Sequence, residues 1–137
     1  MNTKTLLGAL IAAVITFLLG WLIFGILLMD YYTTNMVSYS GLIKNPMEMW
    51  AIAVANLAWG LLLAWIFSIS GIKTVSKGIS AGFLIGFLMV LGFDLLMYAQ
   101  LNLISGKLIG IDVILNGIMG GISGAVLGWW FGRPSKA

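Results

Sequence analysis

The sequence contains neither cysteine nor histidine. Without thiols there is no disulfide, no thiolate zinc site and no cysteine nucleophile. Without imidazoles the most common metal ligand and general base are missing as well. Charge is almost as scarce: 8% of residues are charged, against about 25% in a soluble domain. Proline occurs only at Pro46 and Pro134. Glycine is plentiful, with 18 residues, but it sits inside apolar runs rather than after a strand, so it forms no nucleotide-binding loop. No nucleophile is accompanied by a base. These absences argue against an enzyme and against a bound cofactor or metal. The net charge of +3 and pI near 9.4 are compatible with nucleic acid. The basic residues flank long apolar runs, however, as they do in membrane proteins, and no nucleic-acid partner is expected.

Apolar side chains are what the chain does have. They make up 61% of its 137 residues, and the mean hydropathy is +1.10. A water-soluble fold this small has too much surface to hide them, so lipid must be the solvent. A spanning helix needs about 20 apolar residues, and four such runs fit: Thr5 to Met29, 46 to 70, Gly78 to Leu101 and Leu108 to Phe131. The prediction is an all-α integral membrane fold, an antiparallel four-helix transmembrane bundle in one domain over 1–137. The first run is longer than a signal-peptide core of about 7–15 residues and reads as a retained anchor. Asn45-Pro46-Met47-Glu48 predicts a sharp start to the second helix, with Asn45 as the cap, Pro46 in the first turn and Glu48 at the third position. Short connections put both termini and the middle loop on one side. That side carries Lys4, Lys73, Lys77, Arg133 and Lys136, and the other Lys44 and Lys107. This bias predicts cytoplasmic termini, in a bacterial inner membrane. Trp129-Trp130, and Tyr31, Tyr32, Tyr39 and Trp50, read as aromatic belts at the two interfaces.

The chain also reads as a duplicated hairpin, with halves at about 5–70 and 71–132. Shifting the second helix by 60 residues lays Asn56, Gly60, Ala64 and Ser68 on Asn116, Gly120, Gly124 and Gly128. Shifting the first by 66 lays Ala12, Thr16 and Gly20 on Gly78, Gly82 and Gly86. A spacing of four forms one ridge along a helix, and small residues on such ridges let backbones approach closely where lipid supplies no hydrophobic drive. Gly78, Gly82, Gly86, Gly120, Gly124 and Gly128 are therefore expected at helix contacts. The small ends of the ridges lie toward the termini and the polar ends toward the other side, which predicts a bundle tight at one end and looser at the other.

All four acids, Asp30, Glu48, Asp94 and Asp112, fall in that looser half. With a rise of about 1.5 Å per residue, Asp94, Asn116 and Asn56 sit about 10–14 Å inside the helix ends and can share a polar layer below Asp112. An intramembrane acid is a functional candidate by default. No Lys or Arg lies at the depth of Asp94, so it would carry a proton or hold a cation or an amine. The competing reading is interhelical glue, with Asp94 bonded to Asn116 or Tyr98. Asp112 has a structural alternative at the positive end of its helix. Glu48 is explained by capping and Asp30 by exposure to water. Asn56 and Asn116 are equally at home as packing amides. Trp21 and Trp59 can wall a pocket or fill space against glycine, and the eight Met residues are core filler.

Leu18 to Phe24, Gly82 to Asn102, and Leu115-Asn116-Gly117 with Gly120-Gly121 and Gly128-Trp129 together resemble a bacterial family of small four-span membrane proteins catalogued only as a domain of unknown function. The resemblance covers most of the chain and implies topology, not activity. That family's pattern has a small or polar residue where this chain has Asp94, so no shared role for Asp94 is implied. The leading expectation is a non-catalytic membrane protein acting by helix association, as a homo-oligomer or an accessory subunit of a membrane complex. The alternative is a small transporter or binder of a cation, amine or lipid-like ligand around Asp94, with Asn116, Asn56, Asp112 and Tyr98 as neighbours.

Overall fold

A computed structural model describes residues 2–134; Lys136, counted above among the basic residues, lies outside them. Helix α1 covers Thr3–Leu22 and runs into one π-helical turn at Ile23–Leu27. The chain breaks at Leu28 and resumes as α2, Met29–Asn35. The long helices α3, Met49–Ile69, α4, Val75–Gln100, and α5, Gly106–Gly132, follow. Four segments are long and apolar enough to cross a membrane: Thr3–Leu27, Met49–Ile69, Val75–Gln100 and Gly106–Gly132. Even α3, with 21 residues, is about 31 Å long, which matches a hydrocarbon core of about 30 Å.

Most helix ends follow from local chemistry. Asn2 Oδ1 accepts from Thr5 N at 2.9 Å, Thr74 Oγ1 from Lys77 N at 3.4 Å and Ser105 Oγ from Leu108 N at 3.4 Å. Each satisfies a donor that the first helical turn leaves free. The exit of α3 uses Gly71 at φ +65°, a conformation in which a Cβ is costly. This lets Ile72 N–H reach back to the Phe67 carbonyl at 3.1 Å, closing the helix C-terminus.

Two expectations about ends need correction. The second span does not begin at Pro46; it begins at Met49, and Glu48 occupies the cap position without a side-chain capping bond. Its carboxylate is taken up elsewhere, accepting from Trp50 Nε1 at 2.8 Å and pairing with Lys44 Nζ at 3.5 Å. Likewise the first run does not stop at Met29: after the break at Leu28, Met29 opens α2, which includes Asp30, Tyr31 and Tyr32. Thr34 Oγ1 and Asn35 Nδ2 donate back to the Asp30 and Tyr31 carbonyls at 2.7 and 2.8 Å, adding a second donor to carbonyls one turn back, as short polar side chains do at helix ends.

The spans pack as α3–α1–α5–α4. Helix α4 lies along α5, α3 lies along α1, and α1 against α5 joins the two hairpins, while α3 and α4 barely touch. The α4–α5 contact is backbone on backbone. A Cβ added to Gly78, Gly82 or Gly86 would land on the carbonyl oxygens of Gly124, Gly120 and Asn116 respectively. In the other hairpin, Gly60 meets the Ala9 carbonyl, and a Cβ there would lie 2.7 Å from Ala13 N. The side-chain core is Ala9, Ala12, Leu63, Ala64, Phe67, Leu127 and Phe131, all toward the termini. In the other half α5 still buries Leu108, Ile109 and Val113, but α3 and α4 are sparsely packed. The buried residues of α3 begin only at Gly60, and beyond Gly86 the buried residue of α4 is Asp94.

The two hairpins share an order of helices but not a register. The offsets of 60 and 66 would carry the Gly60–Ala9 contact onto Gly120 and Val75. Gly120 instead faces Gly82, seven residues further along α4. That is about two helical turns.

Candidate functional site

The sparse half holds a cluster built from three helices. Asp94, on α4, is 6% exposed, and its Oδ2 is buried with no hydrogen-bond partner. Asp112, on α5, is its neighbour, and the two carboxyls interact. Asp112 itself is well supplied: its Oδ1 accepts from Tyr32 Oη at 3.1 Å and from Asn116 Nδ2 at 3.2 Å. The Asn116 amide also reaches the Asp112 carbonyl at 2.9 Å. One acid of the pair is thus held by two donors while an oxygen of the other has none.

Tyr32 reaches the cluster because of the π-turn. At 3.6 residues per turn, the 16 residues separating it from the inward-facing Thr16 would leave it about 160° off the interior face. The wider turn at Ile23–Leu27 and the break at Leu28 restore a spacing of four. Gly20, Phe24, Leu28 and Tyr32 all lie on the half-buried side. Phe24 holds the Tyr32 ring edge-on at 5.5 Å between centroids, and Tyr31 packs beside it under the Lys107 ammonium at 5.9 Å. Burial, and then the neighbouring Asp112 carboxylate, push the Tyr32 hydroxyl above the ordinary tyrosine range. It therefore remains a donor at any physiological pH. The α4–α5 loop is tied in where Val37 N–H meets the Leu103 carbonyl at 3.3 Å.

The expected single polar layer divides in two. Asn56 does not join the acids; its amide donates to the Ile52 carbonyl at 2.8 Å. With Asn116, Thr16, Ala55, Trp59, Val90 and Met119 it lines a cleft of about 240 Å³ where α3 and α4 stand apart. Asn116 belongs to both groups and connects them. Tyr98 is 54% exposed: one turn beyond Asp94, it stands where no helix covers α4, and it does not bond to the acid. Nor does Asn116 bond to Asp94, because Asp112 captures its amide. Trp21 is 61% exposed and faces outward, whereas Trp59 walls the cleft. Asp30 and Glu48 are exposed. Two features were not read from the sequence. Tyr32 was assigned to the interfacial belt, and Ser123, wholly buried in α5 with an unpartnered Oγ, carries no sequence signal that separates it from other small packing residues.

The fold and this cluster define a multi-pass membrane protein with an intramembrane acid pair at one end of its bundle. No protein-family model matches the sequence, and no curated protein or solved structure shows significant similarity to it.

Proposed function

We propose that the protein binds, and exchanges with the far side of the membrane, a small monovalent cation or a proton, held between Asp94 and Asp112. The observation that carries this reading is the buried, unpartnered Oδ2 of Asp94 opposite a second carboxylate. Charge in hydrocarbon is expensive unless paired. The only ion pair among the described residues is Lys44 with Glu48, out on the loop. Asp112, fixed by Tyr32 and Asn116, is the rigid half of the site, and Asp94 is the half left to close on a ligand. Two carboxylates, a phenol and an amide suit an ammonium group or a partly dehydrated alkali ion. Positive-side bias supports cytoplasmic termini in a bacterial inner membrane, with the site opening outward. Because the chain has no cysteine, thiol labelling of single-cysteine variants at Asn2 and Ser38 reads that orientation directly.

The test is thermal unfolding of the purified protein from pH 5 to 9, with sodium, potassium or methylammonium as the varied cation. Wild type gains stability with one of these or shows a pH-dependent midpoint, and Asp94→Asn loses that dependence. Identical profiles for the two proteins would sink the proposal.

Association remains a second reading. The glycine faces of α4 and α5 pack against each other and leave no such surface for a partner. What favours association is the α3–α4 cleft with its two amides, which is open to a side chain from a helix of a second copy or another subunit. A monomer with no copurifying partner in mild detergent counts against it.

A further inference from the structure

The end of the bundle carrying the termini has its own cavity, unrelated to the acid pair. It encloses about 450 Å³ where the α3–α4 turn meets the end of α5, and Lys4, Lys73 and Arg133 line it. A second hollow of about 440 Å³ adjoins it, with Lys73 and Arg133 again in the wall and Val75 and Trp129 beyond them. Among the described residues no acid lines either space. The cations are held in place. Lys4 Nζ donates to the Phe131 and Arg133 carbonyls at 3.2 and 2.6 Å, which closes the negative end of α5 and leaves one N–H of the ammonium. The Arg133 guanidinium stacks on Trp129 at 3.6 Å. The Lys73 carbonyl sits directly against Gly132, where any side chain would strike it, so the Lys73 backbone is fixed beside Arg133.

We propose that these paired hollows bind the headgroup of an anionic phospholipid. Three convergent cations without a carboxylate call for a phosphate. The adjoining hollow, walled by Val75 and a half-exposed Trp129, provides the amphipathic surface that a glycerol backbone and the start of an acyl chain need and that a free phosphate does not. Indole side chains prefer the headgroup level, which sets this end of the bundle at the depth of lipid phosphates. Basic pockets between spans are where such headgroups bind.

The experiment is native mass spectrometry of the full chain in neutral detergent, with phosphatidylglycerol and phosphatidylcholine of matched chains as probes. Each cation near a lipid phosphate is worth about fivefold in affinity. Lys73→Gln and Arg133→Gln should each lower phosphatidylglycerol binding about fivefold, and together about 25-fold, while Lys73→Arg keeps it. Wild-type binding should also weaken as salt rises, because the contact is electrostatic; this measurement needs no variant to fold. Equal binding of the two lipids, a double variant that retains the preference, or an affinity indifferent to salt would overturn the proposal. So would full displacement of phosphatidylglycerol by millimolar inorganic phosphate, which would make this a free-phosphate site.

Discussion

The two ends of this bundle are held together by opposite means. Toward the termini, α4 and α5 meet through glycine Cα atoms and carbonyl oxygens, and Leu63, Phe67 and Leu127 fill the remaining space. Toward the other side no glycine seam continues; Leu108, Ile109 and Val113 of α5 are the buried side chains, and the bond from Tyr32 to Asp112 ties α2 to α5. Lipid offers no hydrophobic drive between helices, so close packing has to supply the attraction. Concentrating it in one half frees the other to be polar and open. Close packing and buried acids are thereby segregated along the bundle, and the proposed site falls in the part with less packing, from which sites are commonly drawn.

The largest effect should come from breaking the glycine contact. Gly82→Leu places a side chain where the Gly120 carbonyl lies, and the helices must separate. Overpacking of this kind costs about 3 kcal/mol, here without a flexible side chain to yield. Thermal unfolding in mild detergent should show a large drop in midpoint or no folded protein. Gly92→Ala is the matched control, since nothing lies within 4 Å of a Cβ at that position, and it should be neutral or slightly stabilising. Equal losses from both variants would mean that glycine content, rather than its placement, holds α4.

The polar half should respond with the opposite sign. An unsatisfied buried polar atom costs about 1–3 kcal/mol, and Asp94 Oδ2 is such an atom. Asp94→Leu should therefore raise the unfolding midpoint measured without added cation while abolishing any stabilisation by cations. A destabilised variant would mean that Asp94 is structural glue, and the contrast between the two ends would fail.

How far the sequence anticipates all this depends on what kind of regularity each feature rests on. The spans were legible because length and apolarity are properties of a segment alone. The glycine ridges were legible because a spacing of four survives in any straight helix, and the structure sets Gly78, Gly82 and Gly86 face to face with the Asn116–Gly124 stretch. The site was legible only in part. Asp94 and Asp112 stand out as acids among apolar residues, but which neighbours they meet depends on helix register and on which donor wins. Asn116 goes to Asp112 rather than Asp94, and Tyr98 passes the end of its partner helix. Glu48 fitted a capping pattern, yet Trp50 and Lys44 outcompete the backbone for its carboxylate. Tyr32 was hidden because the π-turn shifts the face by about half a turn, and no periodicity running through Gly25 foretells it.

Tyr32 therefore offers the finest test of the comparison, because its hydroxyl links α2 to the acid pair. Tyr32→Phe keeps the ring against Phe24 and removes only the hydroxyl that donates to Asp112. A hydrogen bond to a partly buried group is worth about 1 kcal/mol, so the loss near neutral pH should be small. The pH dependence is more telling. Burial and Asp112 raise the ionisation of Tyr32 above the ordinary value, near 10 for a free phenol. The folded state thus holds this proton more tightly than the unfolded state, and the resulting stability is complete below about pH 10 and drains away above it. Wild type should accordingly lose stability with rising alkalinity faster than Tyr32→Phe does. Its absorbance at 295 nm should also contain a late-ionising phenol that the variant lacks. If the two titrate alike, the hydroxyl is not held against Asp112, and the polar half is looser still than its hydrogen bonds imply.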